Sequence, residues 1–225
     1  MVDVTLRRAR RRERAAREQM ASAARWYAGL GWPVCQGAHL PHGASGARRG
    51  GRACSCDRIG CPAPGAHPVT PAWQLQATAD PAVAGRWWSA TPQSSVILVT
   101  GRVFDVLDVR ADAGLQALGQ MERAGTPPGP VAISANERAL FFVATRGAPA
   151  AADEWWSCHL DCVPDDMTET AGLRWHCRDS YVLAPPSRHG NDVASRWVRG
   201  PAGRPLPDAV RLLEYLADAS GEGTP

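Results

Sequence analysis

Apolar residues Ala23, Ala24, Trp26, Tyr27 and Leu30 recur at helical spacing behind a stretch free of glycine and proline. This predicts one helix over residues 6–30, stopped by Gly31. Trp32-Pro33-Val34-Cys35 then reads as a short strand, and residues 37–53 as a loop. Asp80-Pro81 is an N-cap followed by proline at the first helical position, opening a short helix over 82–89. Residues 96–101 form a continuous apolar strand, buried on both faces, and 103–109 a second strand. A helix over 112–124 ends at Gly125, and 126–130 is a turn. Strands follow at 131–134 and 139–144, joined through Ala135-Asn136-Glu137-Arg138. Beyond them are a helix at 152–159, strands at 180–184 and 195–198, and an amphipathic helix over 207–219 with Val210, Leu213 and Leu216 on one side. Helices and strands interleave without internal repeats, which predicts an α+β fold: a mixed sheet flanked by helices.

Composition bounds the function. A chain of 225 residues with 44% hydrophobic content supports one core with an appendage. The expected organisation is an Arg-rich helical extension at 1–19, a domain at 20–204, and a C-terminal helix and tail at 205–225. No stretch has the length of a membrane span, so no membrane role is expected. All 25 basic residues are arginine, and seven of them crowd residues 7–17. A cationic helix there suits phosphate contact or a solvated face. It lacks the apolar core of a secretory signal, so a cytoplasmic location is expected. Nine tryptophans are many for this length. Most belong in the core, and exposed ones suit stacking on single-stranded bases.

The densest chemistry is the run Cys54-Ser55-Cys56-Asp57-Arg58-Ile59-Gly60-Cys61, with His67 six residues on. Cys54, Cys56, Cys61 and His67 are a tetrahedral ligand set for zinc, and four protein ligands make a closed, structural site. A disulfide framework fits poorly, because seven cysteines are odd in number and nothing indicates secretion. Free or redox-sensing thiols are the remaining alternative. His39 and His42 are loop residues near this cluster. Cys158, His159, Cys162, His176 and Cys177 form a weaker second cluster without diagnostic spacing.

Several signals in order resemble one family. A helix leads into Gly31-Trp32-Pro33-Val34, and the Cys-rich loop ends in Pro64-Gly65-Ala66-His67-Pro68. Thr78-Ala79-Asp80-Pro81 precedes a Trp87-Trp88 helix. Val99-Thr100-Gly101 comes before a strand ending in aspartate, and Tyr181-Val182-Leu183-Ala184-Pro185-Pro186-Ser187 follows. Over residues 20–200 the chain resembles the bifunctional DNA primase/polymerase N-terminal domain, within the archaeo-eukaryotic primase superfamily. The resemblance implies two-metal nucleotidyl transfer, with Mg²⁺ or Mn²⁺ held by converging carboxylates.

This chain departs from that pattern at each catalytic position. The family's Asp-x-Asp reads Asp108-Val109-Arg110. Ala139 stands at the histidine of the family's Ser-x-His or Gly-Gly-Arg-His segment, and Arg174 at the third acid. Residues 108 and 110 share a strand face, so Arg110 is expected to point toward the metal position. Asp105 lies on the opposite face, and Asp112 reaches the site only if its loop folds back. Asp108 is therefore a residual catalytic residue, and Arg110, Arg138 and Arg174 are expected to contact phosphate. The leading expectation is a catalytically degenerate domain that binds DNA, another nucleic acid or a replication-linked protein. The alternatives are an active primase/polymerase built on Asp108 and Asp112, and a zinc-stabilised protein-interaction module.

Overall fold

The computed structural model describes residues 2–40, 54–56, 58–61, 63–145, 172–188 and 193–221, without the side chains of 2–10, 12, 13 and 221. The helix expected at 152–159 lies outside them, as do His42, Cys158, His159 and Cys162. The helices are α1 (Val2–Gly29), α2 (Trp73–Gln76), α3 (Pro81–Ala90), α4 (Ala111–Arg123) and α5 (Ala209–Gly221). The strands are β1 (Val34–Gly37), β2 (Ser95–Val99), β3 (Phe104–Arg110), β4 (Val131–Ile133), β5 (Arg138–Ala144), β6 (Leu173–His176), β7 (Tyr181–Leu183) and β8 (Arg196–Arg199). The fold is α+β, as the interleaved pattern predicts. Among the described residues no helix is long and apolar enough to cross a membrane. The chain forms two compact units: residues 1–98 with 183–194, and residues 99–182 with 195–225.

In the first unit, α1 ends as its sequence dictates. Gly31 takes φ 78°, and Trp32 N–H returns to Tyr27 O at 3.0 Å, satisfying a terminal carbonyl. Tyr27 is buried; its hydroxyl donates to Pro185 O at 2.6 Å and its ring stacks parallel to Trp32. Asp80 caps α3, its Oδ1 accepting from Ala82 N at 2.7 Å, with Pro81 supplying the first helical residue. α3 packs on α1 and buries Trp88, whose indole N–H donates to Ser94 O at 2.9 Å. The three-stranded sheet has the order β1-β2-β7, with β1 antiparallel to β2 from Val34↔Leu98 to Gly37↔Ser95. Ser187 is wholly buried and accepts from Val96 N–H at 2.8 Å. The Ala-Pro-Pro-Ser segment thus has a structural task, holding Val96 of β2 through Ser187 Oγ and the Ala184 N–H. α2 is a short element that apolar periodicity does not reveal, because none of its four residues is buried.

The second unit holds a five-stranded antiparallel sheet of order β6-β3-β5-β4-β8. One face is covered by α4 and α5. Its core contains Leu107, Val109, Met121, Phe141, Trp175, Leu212 and Leu216, and each such side chain stabilises the fold by about 1.5–3 kcal/mol. α4 lies close to the sheet because Gly114 has no side chain; a Cβ there would run into the Ala139 methyl and Val109. The buried stripe of α5 is Ala209, Leu212, Leu216 and Ala219. This corrects the expected stripe: Leu216 belongs to it, Leu213 packs at its margin, and Val210 is exposed. β6 is an edge strand that the sequence presents only as a site segment, since Trp175 alone of its four residues is buried.

Candidate metal centre and carboxylate face

The candidate metal centre lies in the first unit, at the loop following β1. The ligand atoms of Cys54, Cys56, Cys61 and His67 all lie within 4.8 Å of one another. Cys54 Sγ and His67 Nε2 are 3.4 Å apart. Tetrahedral bonds of about 2.3 Å to sulfur and 2.0 Å to nitrogen place ligand atoms about 3.5–3.8 Å apart, so the set fits a metal such as zinc. The surroundings are also those of a metal site. His67 Nδ1 lies 2.8 Å from Pro68 O, a bond in which Nδ1–H donates and Nε2 is left as the ligand. Gly65 N–H donates to Cys54 Sγ at 3.4 Å. The Arg58 backbone N–H, the largest influence, holds the Cys56 thiol down to about 7, so it is readily a thiolate. Burial pushes the Cys61 thiol up to about 11. The loop is tied to the sheet by backbone bonds: Ser55 N–H to His39 O at 2.9 Å, and Ala38 N–H to His67 O at 2.7 Å. His39 contributes through its backbone and is not in the converging group.

The carboxylate face belongs to the second unit and is the side of its sheet opposite α4 and α5. Register places its members. Asp108 is opposite Leu140 on β5 and Arg174 on β6; Arg110 is opposite Arg138; Val106 is opposite His176. Directly paired residues of an antiparallel ladder share a face, so Asp108, Arg110, Arg138, Arg174 and His176 lie on one side. Farther along, the same face is apolar, with Phe142 packed on Phe104 and Trp197.

Asp108 is buried, and both its oxygens are engaged. Arg138 Nε donates to Oδ1 at 2.6 Å, and Nη2 of the same guanidinium donates to Asp108 O at 3.1 Å. His176 Nε2 lies 3.2 Å from Oδ2, and its Nδ1 lies 3.0 Å from Ser180 Oγ. Burial works to raise the Asp108 carboxyl's pKa. The His176 hydrogen bond and the Arg138 guanidinium outweigh it, and the net position is below the ordinary carboxylate value.

The sequence-derived site is brought together only in part. The expected metal ligands Cys54, Cys56, Cys61 and His67 converge. Asp108 and Arg138 meet, and Arg174 lies directly across the ladder from Asp108. Arg110 departs from expectation: its side chain is 70% exposed and clamps Asp112, with Nη2 2.8 Å from Oδ2 and Nε 3.2 Å from Oδ1. The strand ends at Arg110 and α4 begins, so this long side chain turns to the helix's first acidic residue rather than toward Asp108. That pairing holds the Asp112 carboxyl down to about 2. Ala139 is opposite Val109, wholly buried on the α4 side, so Arg138, one residue earlier, occupies the Asp108 face. Asp105 lies on the α4 side, as expected from strand alternation, and accepts from Trp175 Nε1 at 3.2 Å. His176 is the member that sequence reasoning missed; its place two residues beyond Arg174 on an alternating strand is the signal that finds it.

Among the described residues, the one group of three or more His, Cys, Asp or Glu side chains that converges as a metal set is the Cys54 group. The Asp108 face instead presents arginine around a committed carboxylate. No curated protein matches the chain. The family described as bifunctional DNA primase/polymerase, N-terminal, matches residues 24–210, taking in the metal loop, the Asp108 strand and the Ala-Pro-Pro-Ser segment. By that match over most of its length, this chain belongs to the bifunctional DNA primase/polymerase N-terminal domain family.

Proposed function

We propose that this domain retains the primase/polymerase frame without two-metal nucleotidyl transfer, and that it binds nucleic acid through the arginine side of its five-stranded sheet. The observation that carries the reading is Asp108, whose two oxygens are taken by Arg138 and His176. Two-metal catalysis needs carboxylates free to bridge two divalent ions. Asp112, the other carboxylate the sequence offers for this site, is committed to Arg110. A reading in which Asp108 and Asp112 share an ion would require both arginine pairs to break. Arginines on a sheet face are suited to the forked recognition of phosphate. The metal held by Cys54, Cys56, Cys61 and His67 is zinc with a structural role, since the four protein ligands leave no open position for water or substrate. Reduced thiols at these positions accord with a cytoplasmic protein.

The test is template-directed dNTP incorporation with Mg²⁺ and with Mn²⁺, on the wild type and Asp108→Asn in parallel. Silence in both, from folded and zinc-loaded protein, is the expected result. Robust incorporation that Asp108→Asn abolishes would overturn the reading.

A further inference from the structure

The first unit contains a cavity of about 230 Å³ that lies apart from the metal ligands. Its walls come from β1 (Gln36), the segment after His67 (Val69 and Thr70), α2 (Trp73 and Gln76) and α3 (Trp87). Trp32, Trp88 and Trp175 are buried in the core, whereas Trp73 and Trp87 are only half-buried. Two half-buried indole rings therefore line the cavity. Its frame is hydrogen-bonded backbone: Val69 N–H donates to Gln36 O at 3.1 Å, and Val34 and Thr78 exchange bonds of 2.8 and 2.9 Å.

The polar groups are also placed. The Gln36 amide nitrogen donates to Trp87 O at 3.0 Å and to Thr91 Oγ1 at 2.6 Å. A backbone carbonyl can only accept, so the Gln36 amide orientation is set and its Oε1 remains as an acceptor. The Gln76 carbonyl oxygen accepts from Thr70 Oγ1 at 3.0 Å, leaving the Gln76 NH₂ as a donor. Aromatic walls with one amide acceptor and one amide donor suit a flat ring that carries both kinds of group on its edge.

We propose that this cavity takes a single nucleobase from a single-stranded nucleic acid. The volume is below the about 300–1,000 Å³ of a drug-sized site, which suits one ring system with its sugar and phosphate outside. A base is favoured over an apolar peptide side chain because its edge can pair with the Gln36 oxygen and the Gln76 NH₂, which an apolar group leaves unused. The proposal rests on the nucleic-acid reading above and adds a second contact point, in the other unit, that reads bases rather than phosphates.

The experiment compares two fluorescently labelled single strands of about 12 nucleotides, one with bases and one abasic throughout, by anisotropy. They carry the same phosphates. Wild type, Trp73→Ala and Trp73→Tyr are titrated with each. Trp73 is the suitable position because α2 has no buried residue, and matched thermal transitions verify the fold. The wild type is expected to prefer the base-bearing strand. Trp73→Ala should weaken that strand by about 5- to 100-fold, leave the abasic strand unchanged, and be largely rescued by Trp73→Tyr. Equal binding of the two strands by wild type, or a preference that survives Trp73→Ala, overturns the cavity proposal while leaving phosphate binding intact. Binding of neither strand overturns both readings.

Discussion

Arg138 reaches diagonally across the β3–β5 ladder to Asp108, its Nε 2.6 Å from Oδ1, although its direct partner in register is Arg110. The pair is largely sheltered, with side-chain exposures of 15% and 7%. A guanidinium thus neutralises a carboxylate at the strand position where the family resemblance implies a divalent ion. Removing one partner leaves the other charge buried, so Arg138→Met should cost about 3–5 kcal/mol of unfolding free energy. Asp108→Asn combined with Arg138→Met should cost less than the sum of the two single changes. Urea denaturation of the four proteins measures this; strict additivity would mean that the pair is not coupled.

Acid should expose the same interaction. The Asp108 pKa is lowered in the folded state, so its stabilising contribution is fully present above the unfolded value of about 3.9 and is lost as pH falls through the lower folded value. Urea midpoints between pH 7 and pH 2 should therefore fall more steeply below about pH 4 for wild type than for Asp108→Asn. Asp112, whose carboxyl is also held down, to about 2, sits in an exposed pair, so Asp112→Asn should change the profile little in physiological salt.

The purified protein should carry one zinc per chain. Cys54→Ser and His67→Ala should each lose the metal and lower the thermal midpoint, because ion binding and loop order are linked. Backbone bonds join His67 O to Ala38 N–H and Gln36 O to Val69 N–H, so amide exchange at Ala38 and Val69 should rise on chelation. Metal analysis and hydrogen exchange on chelated protein are the readouts; unchanged protection at both amides would place the ion outside the structural role.

Gly114 tests how closely α4 lies on the sheet. Alanine is favoured over glycine within helices by about 1 kcal/mol. Here the added methyl would meet Ala139 and Val109, and such overpacking costs about 1–3 kcal/mol. Gly114→Ala should thus be neutral to destabilising by denaturant titration, whereas Gly119→Ala on the same helix, with only the flexible Arg123 side chain nearby, should stabilise.

If the arginine face meets phosphates, affinity for single-stranded DNA must fall with salt. Arg174→Ala should weaken binding across sequences alike and reduce the log–log salt slope by about 1. EDTA should leave the slope of the zinc-retaining protein unchanged, since no phosphate contact is assigned to a catalytic metal. A titration series at four salt concentrations is sufficient.

Local sequence alone determined much of this protein. The Asp80-Pro81 start of α3, the Gly31 stop of α1, the apolar run 96–99 of β2 and the converging Cys54, Cys56, Cys61 and His67 were legible because each depends on neighbours within a few residues. The order of motifs was enough to identify the family. Which face meets the helices, and which side chains pair across it, were not legible. β3 is buried through its first six residues, so no polar alternation distinguishes its two sides. Only the packing of α4 and α5 sends Leu107, Val109 and Ala139 to one side and leaves Asp108 with Arg138 and His176 on the other. The same holds for Arg110, which strand alternation points at the metal position and which the start of α4 diverts to Asp112. A long side chain finds the charge nearest in space, and that distance is set only when the sheet, its register and its helices have come together.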